Sequence, residues 1–234
     1  MMSEYRTTKI EWCHHSANPV KGLCPMACSY CYARRLYRRF KWDETIRFDA
    51  SILVPQPTGQ PWRWFVGSAI ELFGPWVKDE WMLRIFDWVR QNPVHTFIFL
   101  TKRPSGLAKW SPFPKNAWVG VSTTGNDSRS GLEDIFADIR ATVKFVSIEP
   151  LLDYSPMDFR WVNWVIVGQQ TPARKSTMPR KEWVEDIAKR ADADGAALFL
   201  KNNLRSLFGD DDYRHFPWAM RPDTKLRQEF PCKH

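Results

Sequence analysis

The sequence lacks the features of a membrane or secreted protein. No apolar run approaches the roughly 18 residues of a membrane-spanning helix, and the first residues lack the apolar stretch of a signal peptide. Of the 234 residues only five are cysteines. An odd count, with three cysteines in one short segment, is a poor disulfide framework. No internal repeat or low-complexity tract is present. We therefore expect a cytoplasmic protein without membrane contact.

The charge of the chain indicates what kind of partner it attracts, and its length indicates how many domains it forms. Lysine and arginine number 34 against 26 acidic residues, which gives a net charge of +8. A basic protein attracts polyanions, so nucleic acid or a nucleotide is a candidate partner or substrate. The 13 tryptophans and 15 phenylalanines suit base stacking, although most are expected in the core. The length predicts one domain over residues 1–234.

Six short, nearly continuous apolar runs predict strands buried on both faces, as in a parallel sheet. They cover residues 64–68, 95–101, 117–122, 143–148, 164–168 and 196–200. Segments with helical apolar spacing lie between some of them, at residues 79–91, 131–141 and 180–193. Strands that alternate with helices predict an α/β fold built from right-handed βαβ units.

With one more strand before the cysteines, these units predict a complete or partial TIM-like (β/α) barrel. A doubly wound open sheet is the alternative. Polar residues follow each apolar run, and barrel enzymes gather their active site at that end of the strands. This pattern favours the barrel, with a C-terminal extension from about residue 204.

The strongest chemical signal is the segment 22–32, here called the cysteine loop, which contains Cys24, Cys28 and Cys31. The spacing is C-x3-C-x2-C, with an aromatic residue just before the last cysteine. Thiolates are the standard ligands of iron–sulfur clusters. Three of them can hold three irons of a [4Fe–4S] cluster and leave the fourth open to a small molecule.

A structural zinc site is the competing interpretation. It would need a fourth ligand from Cys13, His14, His15 or Cys232. Zinc sites usually contain paired C-x2-C units, and only Cys28 and Cys31 have that spacing. The cluster is therefore the favoured prediction.

A helix is predicted directly after the cysteine loop, over residues 32–41. Ala33, Leu36, Tyr37 and Phe40 have the spacing of a core-facing stripe. Four arginines lie on the opposite face, at positions 34, 35, 38 and 39. This face is either solvated or a contact for phosphate or nucleic acid.

The cysteine spacing resembles the signature of the radical SAM superfamily. Further strings resemble a phage-associated radical-SAM-like family of unsettled function, whose general plan is similar to that of spore photoproduct lyase. They are Lys9-Ile10-Glu11-Trp12, Asn18-Pro19-Val20, Leu100-Thr101-Lys102-Arg103-Pro104, Trp118-Val119-Gly120-Val121-Ser122 and Ser147-Ile148-Glu149-Pro150-Leu151-Leu152. The similarity covers most of residues 8–202.

The resemblance implies an enzyme that reductively cleaves S-adenosyl-L-methionine at its cluster to form a 5′-deoxyadenosyl radical. It implies an electron donor such as flavodoxin or ferredoxin, and by analogy a nucleic-acid base or nucleotide as substrate. Ser68 would receive the methionine amine, Lys102 its carboxylate and Ser122 the ribose hydroxyls. Glu149 would hold ribose or substrate, and the Gln170 amide would bond adenine or substrate.

The chain departs from the expected family pattern at two places near these residues. Gly168-Gln169-Gln170 stands where Gly-Gly-Glu is expected, and Ile70-Glu71-Leu72-Phe73 stands where Ser-Asp-Leu-Phe is expected. A general base at 169–170 is therefore in doubt, and the sequence singles out no catalytic residue. The alternative function is a non-catalytic nucleic-acid-binding module with a structural zinc or iron–sulfur site.

Overall fold

A computed structural model describes residues 8–57, 59–125, 131–209, 214–223 and 225–231. Its helices and strands are β1 (His15–Ala17), β2 (Val20–Lys21), α1 (Tyr32–Phe40), β3 (Arg47–Phe48), β4 (Arg63–Val66), α2 (Asp79–Gln91), β5 (Thr96–Thr101), β6 (Ala117–Thr123), α3 (Leu132–Ala137), β7 (Val143–Ile148), β8 (Trp164–Val167), α4 (Lys181–Ala193) and β9 (Ala197–Leu200). All six strands predicted from apolar runs are confirmed, as is a strand before the cysteines.

Seven strands form one sheet in the order β1-β4-β5-β6-β7-β8-β9, and β2 pairs antiparallel with β3. The pairs β1–β4, β4–β5, β7–β8 and β8–β9 are parallel. The order never reverses, whereas a doubly wound sheet contains a reversal. The α/β class is confirmed, and the order is consistent with a partial TIM-like fold. No closed barrel is shown for the described strands.

The chain divides into two compact units, Met1–Val119 with Ile139–Thr142, and Gly120–Asp138 with Val143–His234. In the first unit, α2 packs its apolar face on β4 and β5. The Trp88 ring lies 4.6 Å from the Phe97 ring, and Trp64 is the register partner of Phe97. Ile85 and Val89 on the same helix are fully buried. These apolar contacts hold α2 against β4 and β5.

The second unit is centred on the fully buried Trp164 of β8. Its ring lies between 5.4 and 6.0 Å from those of Phe145, Phe199 and Phe230. The predicted C-terminal extension contributes to this unit. The Leu200 N–H donates to the Arg227 carbonyl at 2.7 Å, and the Glu229 N–H donates to the Leu198 carbonyl at 2.9 Å. The extension therefore lies antiparallel along β9 and pairs backbone groups that an edge strand would leave open.

Two details of the predicted helices are wrong. Phe40 was expected in the core, but it is 53% exposed. The helix ends at Phe40 because Lys41 adopts a left-handed conformation (φ 49°). The predicted 131–141 helix is shorter, because the Arg140 N–H donates to Ser111 Oγ at 2.9 Å instead of continuing the helix. No described helix has the length and apolar character needed to cross a membrane.

Candidate functional site

The cysteine loop begins at a position that only glycine fits. Gly22 has a φ of +117°, and a Cβ there would lie 2.7 Å from both the Ile46 Cα and the Thr45 carbonyl oxygen. The Gly22 N–H donates to the Tyr37 hydroxyl at 3.0 Å, and the Leu23 N–H donates to the Glu44 carbonyl at 2.9 Å. These contacts attach the start of the loop to α1 and to the segment before β3.

The three loop cysteines are half-buried free thiols. The Cys31 N–H donates to the Cys28 carbonyl at 3.1 Å, and α1 starts immediately after Cys31. Cys24 Sγ accepts the Glu71 N–H at 3.4 Å. Burial raises the pKa of the Cys24 thiol, although the backbone N–H groups of Glu71 and Met26 act in the opposite direction.

These residues fit an iron–sulfur cluster in the kind of donor they offer. Three free thiols lie on one short loop, and backbone N–H donation to a ligand sulfur is a recognised way of tuning such clusters. Within the described residues, however, no three His, Cys, Asp or Glu side chains are grouped tightly enough to hold a metal ion. To hold a cluster, the three thiols would have to turn toward one another.

Glu71 links the cysteine loop to the end of β5. It is buried, with 7% of its surface exposed, and its Oε1 accepts the Thr101 hydroxyl at 2.7 Å and the Phe73 N–H at 2.9 Å. Its Oε2 accepts the Lys102 N–H at 2.8 Å. Both carboxylate oxygens are therefore satisfied, while the backbone N–H of the same residue contacts Cys24 Sγ. A buried carboxylate is retained at little cost only when it is paired in this way.

Ser68 and Lys102, two of the residues expected to bind the cofactor, both contact residues of the cysteine loop. The Tyr32 hydroxyl donates to the Ser68 carbonyl at 2.8 Å, and Asn18 Nδ2 donates to Ser68 Oγ at 3.0 Å. Lys102 Nζ donates to the Tyr30 hydroxyl at 3.1 Å. The segments that follow β4 and β5 thus contact this loop, and Asn18 after β1 holds Ser68 in place.

Three other predicted positions belong to the second unit. The Lys201 ammonium donates to Glu149 Oε1, and both side chains are mostly buried. Ser122 Oγ donates to the Glu149 carbonyl at 3.3 Å. A Cβ at Gly168 would lie 2.8 Å from Lys201 Cδ and 3.2 Å from Glu149 Cδ. The ion pair lies so close to the backbone that position 168 has no room for a side chain. Together with the Ser122 contact, the pair joins the ends of β6, β7, β8 and β9.

The two neighbouring glutamines differ. Gln169 is buried. Its backbone N–H donates to Asn203 Oδ1 at 3.2 Å, and Asn203 Nδ2 donates to the Gln169 carbonyl at 2.9 Å. Gln170, the predicted ligand, is half-exposed. No hydrogen bond joins its side chain to the part of the chain that the structure describes. Its amide is therefore available to a bound molecule.

The residues considered for a zinc site have other partners. The buried Cys13 thiol donates to the Ile10 carbonyl at 3.8 Å. His14 Nδ1 accepts the Arg63 N–H at 2.8 Å, and the His15 ring stacks on Trp64 at 4.6 Å. These residues are at the start of β1, whereas the cysteine loop follows its end. Cys232 lies outside the described residues.

Sequence reasoning assigned no role to four residues that contact the predicted ones, although Glu71 and Lys201 are among the polar residues that follow the apolar runs. Glu71, Asn18, Tyr30 and Lys201 make the contacts that position the predicted residues. The usable signal is a charged residue next to a buried apolar run, as at Glu71 after β4 and Lys201 after β9. Asn18 and Tyr30 give no such signal, because their partners are distant in sequence.

The chain belongs to the family described as "Protein of unknown function (DUF5131)", whose model matches residues 7–206. The matched part contains the cysteine loop and all nine strands. That description assigns no activity. Neither the curated proteins nor the solved structures include a match to the chain.

Proposed function

We propose that this member of the family is a radical S-adenosylmethionine enzyme. Its [4Fe–4S] cluster is held by Cys24, Cys28 and Cys31, and its fourth iron is open to S-adenosylmethionine. When bound, the cluster supplies the electron that splits S-adenosylmethionine into methionine and a 5′-deoxyadenosyl radical. A one-electron donor such as a flavodoxin or ferredoxin is part of the proposal, because each cleavage consumes one electron.

The observation that supports the proposal most is that the segments following β4 and β5 contact the cysteine loop. Lys102 contacts Tyr30, the Ser68 carbonyl contacts Tyr32, and Glu71 contacts Cys24. Active sites of barrel enzymes occur at the C-terminal ends of the strands. A metal loop at this edge, beside a cation and a hydroxyl, is an arrangement suited to an amino acid ligand.

Each residue has a defined task in the proposal. The Lys102 ammonium neutralises the methionine carboxylate, and the Tyr30 hydroxyl orients that ammonium by accepting a hydrogen bond from it. Ser68, fixed by Asn18, accepts from the methionine amine. Ser122, Glu149 and Gln170 belong to the second unit, and the roles expected for them stay predictions. The substrate class proposed is a nucleic-acid base or nucleotide.

The test is production of 5′-deoxyadenosine. Protein reconstituted anaerobically with iron and sulfide is reduced with dithionite, mixed with S-adenosylmethionine and analysed by chromatography. Wild-type protein should form the product, and Cys28→Ala should not. The matched control is Cys13→Ala, which removes a thiol outside the loop and should keep the activity. Lys102→Ala should raise the KM for S-adenosylmethionine by about tenfold or more, as expected for loss of a charged contact.

If the protein holds a complete cluster but forms no 5′-deoxyadenosine, the proposed enzymatic activity is refuted. Stoichiometric zinc without iron, in protein purified with and without oxygen, would instead favour the non-catalytic nucleic-acid-binding module.

A further inference from the structure

The end of α1 carries an exposed surface that the proposed reaction does not use. It consists of the five consecutive exposed residues Arg38, Arg39, Phe40, Lys41 and Trp42, here called the α1 patch. The left-handed Lys41 ends the helix, and the Trp42 N–H donates back to the Tyr37 carbonyl at 3.2 Å. This turn folds Trp42 over the last turn of α1.

Two aromatic rings in the patch are held parallel to one another. The centres of the Phe40 and Trp42 rings are 5.5 Å apart, with an angle of 20° between the ring planes. The Tyr37 ring packs edge to face against Trp42, with 5.3 Å between the ring centres. Even so, Phe40 is 53% and Trp42 is 49% exposed. Exposed aromatic surface that the fold holds in one orientation is typical of a binding site.

The charged side chains of the patch itself are all positive. Arg38, Arg39 and Lys41 have no acidic partner within the described residues, and the Arg39 guanidinium lies 5.3 Å from the centre of the Phe40 ring. Two exposed acidic residues, Asp43 and Glu44, follow the patch directly, and Asp43 is paired with Arg47 at 2.7 Å. The patch therefore offers positive charge and flat aromatic surface together.

A partner that matches both features is a polyanion with exposed aromatic rings. An unpaired nucleic-acid strand has phosphates for the basic side chains and base faces for Phe40 and Trp42. A duplex hides its base faces in the stack, and an acidic peptide offers charge without regularly spaced rings.

We infer that the α1 patch binds single-stranded nucleic acid. The inference deepens the proposed function and rests on it for the role of the bound strand as substrate. Cys31 is the residue directly before α1, and the helix has nine residues, so the patch lies about 13 Å along the helix from the cysteine loop. A strand bound at the patch can extend along α1 and present a nucleotide to the loop.

The experiment measures fluorescence anisotropy of labelled oligodeoxythymidylate and oligouridylate with the full chain, without S-adenosylmethionine or reductant. Binding of either strand should weaken with salt. Trp42→Ala should weaken it about tenfold, the loss expected for one stacked base, whereas Trp42→Phe should retain most of it. Arg38→Ala with Arg39→Ala should reduce the slope of log affinity against log salt by about 2.

The controls lie on α2. Leu83→Ala removes an apolar side chain that is equally exposed, at 52%, and Arg90→Ala removes an exposed charge. Neither should change binding. The inference is overturned if neither strand binds, if Trp42→Ala binds like wild type, or if a duplex binds as tightly as a single strand. It is also overturned if Trp42→Ala changes only the oligomeric state, which would make the patch a contact between copies of the chain.

The two proposals can fail separately. A protein that cleaves S-adenosylmethionine but binds no strand refutes the inference alone. A protein that binds the strand through Trp42 but forms no 5′-deoxyadenosine refutes the proposed function alone.

Discussion

At the residue scale, the buried carboxylate of Glu71 has a structural role: it connects the strand ends to the cysteine loop. The carboxylate receives three hydrogen bonds, from the Phe73 and Lys102 N–H groups and the Thr101 hydroxyl. The same residue contacts Cys24 through its backbone. Glu71 therefore holds the ends of β4 and β5 in position against the cysteine loop.

Glu71→Gln should lower the free energy of unfolding by about 1–3 kcal/mol, because an amide NH2 in place of Oε2 faces the Lys102 N–H and leaves buried donors unmet. Urea denaturation measures the change. The matched control is Glu80→Gln on α2, an exposed side chain whose nearest charge, Lys78, is 3.8 Å away. It should change the stability by less than about 0.5 kcal/mol. Equal effects of the two substitutions would contradict the role given to Glu71.

For single residues, the sequence predicts a place at the edge of the sheet but not the hydrogen-bond partners. Ser68 and Lys102 could be predicted to lie at the C-terminal edge of the sheet, because each follows a buried apolar run and parallel strands end at one edge. The hydrogen bonds that fix them, from Asn18 and to Tyr30, join residues 50 and 72 positions apart. Local patterns contain no information about such pairs.

At the scale of elements, strands were predicted well and turns were not. The buried strands are continuous apolar runs, and burial on both faces imposes that pattern. The antiparallel pair of β2 and β3 was missed because each strand has two residues, too few for any periodicity. The exposure of Phe40 was missed because helical spacing does not reveal the left-handed turn at Lys41.

The cysteine loop is an element whose shape depends on one glycine. Gly22→Ala should destabilise the fold by about 1–3 kcal/mol, because a Cβ would meet backbone atoms of Thr45 and Ile46 at 2.7 Å in a left-handed conformation. It should also reduce the iron content after reconstitution. Thermal unfolding and iron analysis measure the two effects.

The matched control for this prediction is Gly59→Ala, where an added Cβ has nothing within 4 Å and φ is not positive. That variant should keep both the stability and the iron content of wild type. If Gly22→Ala behaves in the same way, the glycine does not shape the loop.

At the scale of the whole molecule, the strand order is the feature with the clearest functional consequence. Within the first unit the order is β1-β4-β5, and within the second it continues from β7 to β9. Successive parallel strands that are added on one side place all their C-terminal ends at one edge of their sheet. Each unit accordingly gathers its polar groups there, around the cysteine loop in the first and around Glu149 and Lys201 in the second.

The C-terminal extension completes the second unit. Arg227 donates to Asp192 at 2.7 Å and to Glu229 at 2.9 Å, and these carboxylates raise the pKa of its guanidinium. Apolar periodicity could not predict this segment, because its attachment depends on ion pairs and on backbone pairing with β9. The sequence therefore predicted that a C-terminal extension exists, but not that it packs along β9.

The central claim is that Cys24, Cys28 and Cys31 hold a cluster with one iron open to S-adenosylmethionine. Electron paramagnetic resonance of the reduced, reconstituted protein tests it most directly, together with iron and sulfide analysis. The account predicts about four irons per chain, a spectrum that changes when S-adenosylmethionine is added, and loss of the signal in Cys28→Ala but not in Cys13→Ala. A spectrum that S-adenosylmethionine leaves unchanged, or a signal that survives Cys28→Ala, would contradict it.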